Sequence, residues 1–218
     1  MAWSDTAYAT VAEYRERNGR VSTDSDTVLA AMLLSLSRVV DRRLAVAPAE
    51  FAPQSAVTFT VKATGGTLLY LRDEMGRQHF LRTATAIGID SEFDGTYDGY
   101  TLVLGTDTEL QGYPVSASTY NEPYTALELL PGVSGASPTA WPDGAYVRIT
   151  GNLGYAAVPG AIKDRVIGLT RELVQVHLGG SLTDEAINAA LEANIGARSL
   201  MRVLEMEYSR RIPSFGVA

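Results

Sequence analysis

The sequence predicts an α+β protein: a helical bundle formed by N- and C-terminal helices, with an inserted antiparallel β domain between its two parts. Near both ends of the chain, apolar residues recur every three or four positions, which is the period of an amphipathic helix. In the middle they alternate with polar residues, as in a half-buried strand. We therefore predict that residues 1–47 and 159–218 form the bundle, the latter with a C-terminal tail, and that residues 48–158 form the β domain.

Two helices are predicted before residue 45. Thr10 and Glu13 have the spacing of a capping box, in which each side chain accepts a hydrogen bond from the other residue's backbone N–H. Asn18-Gly19 should end this helix, and a second helix should begin in residues 23–26, where acidic residues favour a helix N-terminus. Helical spacing then stops, so residues 45–53 are interpreted as a linker. The apolar stripe of the second helix is Leu29, Met32, Leu33, Leu36, Val40 and Leu44.

The segment from Ala56 to Leu130 is predicted to form several short strands, separated mostly by Gly, Asp or Pro. Strands at this spacing are typical of an antiparallel sandwich or a small barrel. Residues 131–142 are predicted to form a flexible surface loop, because Gly, Pro and Ser dominate them. The candidate strands are residues 56–62, 67–72, 79–83, 85–89, 100–104 and 125–130.

The chain returns to helical spacing between Trp141 and Leu178. A strand at residues 146–150 is followed by Gly151 and Gly154, which permit a tight bend because glycine adopts positive φ at no steric cost. Pro159 suits the first turn of a helix, whose apolar stripe should pack against that of the second helix. Further helical segments follow, interrupted at Gly196. The stripe residues after Pro159 are Ile162, Val166, Leu169, Leu173 and Val176.

Composition argues against several classes of function. The 218 residues carry 18 Lys and Arg against 25 Asp and Glu, a formal net charge of −7, which argues against gripping a nucleic-acid backbone. Cysteine is absent, so disulfide frameworks, thiolate catalysis and Cys-ligated zinc are excluded. We find no apolar run long enough for a membrane span and no signal peptide. We expect a soluble protein made in a cytoplasm.

No catalytic, cofactor or metal site is predicted. Neither His79 nor His177 has a Ser or Asp at a spacing that suggests a triad. Residues 90–98 have the oxygen positions of a calcium loop, but Thr101 replaces the bidentate Glu, and a turn built on local hydrogen bonds explains them. Two other classes stay open: a small-ligand or carbohydrate-binding β module on a helical stalk, and a glycosidase using two of the 25 acids. The tyrosines that suggest a carbohydrate platform are Tyr97, Tyr100, Tyr113, Tyr120 and Tyr124.

The C-terminal segment, residues 201–218, changes in character. Two arginines are followed by apolar residues without polar cover, whereas a frayed tail is usually polar. Pro213 restricts Ile212 to extended conformations, which lowers the entropy cost of docking in a groove. We predict that this segment binds a partner through Arg210, Arg211, Ile212, Pro213, Phe215 and Val217.

Several segments together resemble the head–tail connector (adaptor) proteins of long-tailed bacteriophages. Residues 24–44, DSDTVLAAMLLSLSRVVDRRL, followed by Phe51, resemble that family's second helix, where a Ser-Arg pair precedes a hydrophobic-Asp step and then an aromatic residue. Residues 94–114, residues 123–129 and VRITGNLGYAAVP at 147–159 are similar to its β segments and its proline-started helix. Tyr155 stands where the family would have tryptophan, and the sequence between Ala63 and Arg77 has no counterpart.

The resemblance implies a non-enzymatic structural protein of the virion neck, assembled in the host cytoplasm into a ring of typically twelve copies. The ring would lie beneath the portal protein, with the residue 210–217 segment inserted against it, and above a tail, tail-terminator or stopper protein. DNA would pass through the central channel without sequence-specific binding. A net-acidic protein is compatible with this role, because like charges let DNA slide without sticking.

Overall fold

The computed structural model describes residues 6–18, 26–90, 92–97, 100–102, 108–111, 123–130, 138–176, 189, 193 and 195–208. The chain divides into two compact units: Met1–Ala52 with Ala157–Ala218, and Pro53–Ala156. The predicted α+β class is confirmed, because helices from both ends of the chain share the first unit and antiparallel sheets make up the second. The predicted domain boundaries, after residues 47 and 158, stay a prediction that limited proteolysis would test.

The helical unit is built from helices of both ends of the chain, which pack together through their apolar sides. The capping box before the first helix forms as predicted: Thr10 N–H donates to Glu13 Oε2 at 2.8 Å, and Glu13 N–H donates to Thr10 Oγ1 at 3.2 Å. The second helix packs on the third, and the third on the fourth, which confirms the predicted pairing of the two stripes. The described helices are α1 (Val11–Asn18), α2 (Asp26–Arg43), α3 (Gly160–Val176) and α4 (Ile195–Tyr208).

The segment after α2 is buried, so its interpretation as a linker is wrong. Val46, Ala47, Ala49 and Phe51 are each at most 1% exposed. The backbone folds back on the helix, since Val46 N–H donates to the carbonyl of Asp41 at 3.1 Å. Alanine and proline are common in linkers, but the small side chains here let the backbone approach α2 closely. Most of residues 46–52 therefore belong to the core of the helical unit.

The β unit contains two antiparallel sheets. The four-stranded sheet has the order β1-β7-β3-β4, and the three-stranded sheet has the order β2-β6-β5. Gln54, the first residue of β1, pairs with Leu153, the last residue of β7. The candidate strands 79–83 and 85–89 are one continuous strand, and residues 108–111 add a strand that the candidates did not include. The strands are β1 (Gln54–Lys62), β2 (Leu68–Tyr70), β3 (Leu81–Asp90), β4 (Tyr100–Leu102), β5 (Thr108–Gln111), β6 (Ala126–Leu129) and β7 (Tyr146–Leu153).

Irregular pairing around the end of β7 explains why Gly151 is needed there. The register shifts opposite this strand, once in β1 and twice in β3, so extra residues crowd against it. A Cβ atom at Gly151 would lie 2.0 Å from the carbonyl oxygen of Thr83. Gly151 is therefore required by close approach of a neighbouring strand and not, as predicted, by a positive φ. The bend itself falls at Gly154, where φ is 74°.

The predicted surface loop at residues 131–142 ends in the core of the β unit. Trp141 is 1% exposed, and its indole Nε1–H donates to the carbonyl of Thr67 at 2.9 Å. Its backbone N–H donates to the carbonyl of Gly66 at 2.7 Å. The prediction is wrong at this residue, because loop composition does not show which side chain the loop buries. Residues 131–137 lie outside the described residues.

Candidate interaction surface

Asp90, the last residue of β3, organises the loop that follows it. Its side chain is buried, and its two oxygens accept the backbone N–H groups of Asp94 at 3.2 Å and Gly95 at 3.0 Å. Asp94 Oδ1 accepts the hydroxyl of Thr96 at 2.6 Å and the N–H of Thr96 at 2.8 Å, and these two hydrogen bonds lower the pKa of Asp94. These contacts are those of the turn predicted from the Asp and Gly residues.

The described residues of this loop carry no cluster of metal ligands. In the part of the chain that the structure describes, no group of three or more His, Cys, Asp or Glu side chains is placed to hold a metal ion. Ser91 and Asp98, two residues of the calcium-like segment, lie outside the described residues. Both oxygens of Asp90 already serve backbone donors, as a structural turn requires.

Phe93 lies at the tip of this loop and points into solvent. Its φ is 59°, in the left-handed region, and 60% of the residue is exposed. A bulky side chain in that region costs on the order of 1–2 kcal/mol. The ring lies near the turn at Gly144, where an added Cβ atom would meet two ring carbons at 3.9 Å. The hydrogen bonds of Asp90 therefore hold a large apolar side chain outward in a strained conformation, which is a feature of recognition sites.

Exposed carboxylates lie beside Phe93 in sequence and in the turn that its ring approaches. Glu92 and Asp94 flank Phe93 in sequence, Asp143 precedes Gly144, and all three are exposed. Between Arg82 and Arg148 the sequence has nine Asp and Glu residues and no Lys or Arg. We call Glu92, Phe93, Asp94 and Asp143 the Phe93 surface. It has an apolar centre and an acidic rim.

Aromatic and basic side chains adjoin this loop on the outer face of the four-stranded sheet. The guanidinium carbon of Arg148 lies 4.0 Å from the centroid of the Tyr97 ring. Tyr97 packs on β3 at Gly88, where an added Cβ atom would lie 2.9 Å from its carbonyl oxygen. A hydrogen bond with Glu74 raises the pKa of Tyr146. Because Arg148 covers one face of Tyr97, that face is not available to stack on a sugar.

A second exposed apolar side chain lies in the region that had no counterpart in the connector family. Residues 73–77 form a turn in which Asp73 Oδ1 accepts the N–H groups of Met75 and Arg77, both at 2.9 Å. Met75 at its tip is 79% exposed. The turn is therefore held rigidly by one carboxylate, as the Phe93 loop is.

The residues that carry the family resemblance in α2 lie in a buried network. The Tyr8 hydroxyl donates to Asp41 Oδ1, while Arg38 Nη1 and the N–H of Ala49 donate to Asp41 Oδ2 at 2.6 and 3.0 Å. Burial raises the pKa of Asp41, and burial followed by the charge of Asp41 raises the pKa of Tyr8. Phe51 packs edge-on against Tyr8, with ring centroids 5.6 Å apart.

Ser37 completes this network. Its Oγ accepts the N–H of Tyr8 at 2.9 Å and donates to the carbonyl of Leu33 at 2.7 Å. The Ser-Arg pair, the Asp and the aromatic residue of the sequence motif thus join three segments of chain: residues 6–10, α2 and residues 45–52. The motif therefore has a structural role: Ser37, Asp41 and Phe51 are buried, and Arg38 is tied to Asp41 and to the carbonyl of Thr6.

The predicted portal-binding residues, Arg210, Arg211, Ile212, Pro213, Phe215 and Val217, lie outside the described residues. His177 lies outside them as well. His79 is buried and packs on Phe59, with ring centroids 4.4 Å apart, so it belongs to the core. No helix in the described ranges is long and apolar enough to cross a membrane.

Comparison with known proteins finds structures similar to this chain over nearly its whole length. No protein-family model and no curated protein matches this sequence. The chain is similar to a chain in the virion of a native gene transfer agent particle, with a TM-score of 0.53 and 18% identity. It is also similar to a chain in the neck of an empty gene transfer agent particle computed with sixfold symmetry, with a TM-score of 0.51 and 17% identity. Each match covers 99% of this chain and 95% of the other. The resemblance to connector proteins is confirmed at the level of the fold.

Proposed function

We propose that this chain is a structural protein of the virion neck: a head–tail connector (adaptor) that forms a ring beneath the portal and leaves a channel for DNA. The observation that carries the proposal is the coverage of the structural match, 99% of this chain and 95% of a chain from a gene transfer agent neck. Both the helical unit and the inserted β unit are therefore shared. The short motifs of α2 and β7 point to connectors independently.

A homo-oligomeric ring follows from this role. The neck that contains the similar chain was computed with sixfold symmetry, which six or twelve copies satisfy. The sequence resemblance favours twelve. A head-to-tail contact that closes requires two different complementary surfaces on each copy. The exposed Phe93, held outward at a conformational cost, is suited to be one of them.

The charge distribution is compatible with DNA passing through such a ring. Nine acidic residues and no Lys or Arg lie between Arg82 and Arg148, so this part of the chain repels phosphates. Binding to a DNA backbone requires the opposite sign. We propose that DNA moves through the channel without sequence-specific binding, and that the protein has no enzymatic activity.

The partners of the ring are the portal above it and a tail, tail-terminator or stopper protein below it. Arg210, Arg211, Ile212, Pro213, Phe215 and Val217 are proposed to bind the portal. Truncation after Tyr208 should leave the melting temperature nearly unchanged and remove portal binding in a pull-down. A truncated protein that binds the portal with full affinity would show that these residues are not the contact.

The direct test of the proposed function uses particle-producing cells that lack this protein. DNA-filled heads and separate tails should accumulate, and supplying the protein should restore joined particles. With purified protein, negative-stain electron microscopy and mass photometry should show rings, alone or with the portal protein. A persistent monomer in both conditions, with a saturable sugar site, would instead support the carbohydrate-binding module.

A further inference from the structure

Helix α4 has an exposed face that is basic and apolar. Arg198, Arg202 and Met206 follow one another at four-residue steps, so they lie along one side of the helix. All three are exposed, and Met206 is 55% exposed. The opposite side carries Ala197, Met201 and Leu204, which are buried in the helical unit. We call Arg198, Arg202 and Met206 the α4 face.

The arginines of the α4 face differ from the other exposed arginines of the helical unit in their described contacts. Within the described ranges, Arg198 and Arg202 make no ion pair with another residue. Exposed arginines elsewhere in the helical unit do: Arg15 pairs with Asp26, and Arg17 pairs with Asp164. Two neighbouring guanidinium groups and an exposed thioether form a surface that would bind an apolar group with carboxylates next to it.

The Phe93 surface has that chemistry. It contains an exposed phenyl ring, the exposed acids Glu92 and Asp94 on either side of it in sequence, and the exposed Asp143 in the turn that the ring approaches. A guanidinium stacks favourably on an aromatic face, and a methionine sulfur contacts aromatic rings favourably. The opposite charges of the two surfaces would also orient two approaching copies.

We propose that the Phe93 surface of one copy binds the α4 face of the next copy in the ring. This inference rests on the proposed function, and it names the surfaces through which the copies assemble. The contact joins two different surfaces, so each copy offers one to each neighbour, and repetition closes a ring when the rotation between copies allows it. The occupant of both surfaces is a second copy of this chain.

Charge exchange tests the contact. Arg198→Glu with Arg202→Glu should lower the fraction of protein in rings about tenfold or more, because carboxylates would then face carboxylates. Glu92→Arg with Asp143→Arg should do the same, and the four changes together should restore assembly. Arg15→Glu with Arg171→Glu alters the net charge by the same amount at exposed positions outside the contact, and this control should assemble like the wild type.

Cross-linking tests the proximity of the two surfaces directly. The chain has no cysteine, so single thiols can be introduced without background. When Thr96→Cys and Ser199→Cys proteins are mixed under ring-forming conditions, a short bis-maleimide should link one copy to another. Ser55 provides the control. It is exposed near the start of β1, whereas the Phe93 loop follows Asp90, which lies level with the last residue of β1, Lys62, across β7. Ser55→Cys mixed with Ser199→Cys should link far less.

The outcomes separate this contact from the ring itself. If rings form but cross-linking does not exceed the control, or if the Arg198→Glu, Arg202→Glu variant assembles normally, the contact is overturned and the ring stands. If the wild-type protein stays monomeric both alone and with the portal, the proposed ring fails and the contact fails with it.

Discussion

Asp41 in the helical unit and Asp90 in the β unit are buried carboxylates that each hold an irregular backbone segment by hydrogen bonds. The two segments place their phenylalanines in opposite environments. Both are buried, with 2% and 3% exposed, and both accept backbone N–H groups from the irregular segment that follows. The segment held by Asp41 turns its aromatic residue, Phe51, fully inward. The segment held by Asp90 turns Phe93 outward into solvent, in a left-handed conformation.

The surroundings of the two carboxylates explain the difference in their expected roles. Asp41 also receives hydrogen bonds from the partly exposed Arg38 guanidinium and from the buried Tyr8 hydroxyl, so its removal would take the acceptor away from that hydroxyl and from the N–H of Ala49. Asp90 satisfies backbone donors of an exposed loop, which water can reach once the carboxylate is gone. The first device stabilises a core, and the second shapes a surface. Three measurements would break or sharpen this distinction, and a fourth concerns an exposed carboxylate of the helical unit.

Removing Asp41 should have the largest effect. Asp41→Ala should lower the free energy of unfolding by about 3–5 kcal/mol, because a buried carboxylate is lost together with its ion pair and its hydrogen bonds to Tyr8 and Ala49. Urea denaturation followed by circular dichroism measures it. Asp164→Ala removes only an exposed ion pair with Arg17 and should cost less than about 1 kcal/mol. A similar small loss for Asp41→Ala would mean that the network contributes little to the core.

Removing Asp90 should cost less and act locally. Asp90→Ala should lower the free energy of unfolding by about 1–3 kcal/mol, because buried hydrogen-bond acceptors are lost. Hydrogen exchange should show faster exchange of the Asp94 and Gly95 amides, while the amides of β7 keep their protection. Equal loss of protection in β7 would show that Asp90 supports the whole sheet and not the loop alone.

Replacing Phe93 with glycine should separate stability from assembly. Glycine adopts positive φ without strain, so Phe93→Gly should leave the free energy of unfolding unchanged or raise it by up to about 1 kcal/mol. Ring formation in mass photometry should fall. Phe51 is the corresponding phenylalanine in the helical unit, and Phe51→Ala should lower the free energy of unfolding by about 3–5 kcal/mol. A marked loss of stability in Phe93→Gly would mean that the ring packs on the fold more than its exposure indicates.

The smallest effect concerns pH and the tie between α1 and α3. Lys163 Nζ donates to Glu13 Oε1 at 2.5 Å, and this contact, with the capping hydrogen bonds, lowers the pKa of Glu13 below its ordinary 4.5. The stabilisation is therefore present above pH 4.5 and is lost as the pH falls through the lower folded-state pKa. Glu13→Gln should remove about 0.5 kcal/mol at pH 7 and nothing near pH 2, measured by urea denaturation at both values. An equal loss at both pH values would show that the negative charge of Glu13 does not contribute to stability.

Periodicity predicted the regular elements well, because burial of one face repeats along a helix or a strand. The stripes of α2 and α3, the capping box at Thr10 and the strand β7 all follow from local spacing. Residues 45–52 did not, since their burial depends on hydrogen bonds to Asp41 and Tyr8, which lie elsewhere in the chain. The place of Trp141 in the core depends on Thr67 in the same way.

The interaction surface was harder to predict than the fold. The sequence indicated a turn at residues 90–98, but the conformation of Phe93 depends on which amides the buried carboxylate holds. A phenylalanine between two acids in a turn was the available signal. The proposed contact of this surface with the α4 face would join residues about a hundred positions apart in sequence, and local pattern carries no information on such a pair.

The pairing of Gln54 with Leu153 has a consequence for how such proteins diversify. The chain enters the β unit on one strand and leaves it on the adjacent one, so the two junctions lie side by side. Cross-strand neighbours are only about 5 Å apart, a gap that a few residues span. A short bridge between Ala52 and Ala157 would therefore reconnect the helical unit without the β unit, and another β unit with paired ends could be grafted in its place. Lineages could in this way exchange the β unit, and the Phe93 surface with it, while keeping the same helical unit.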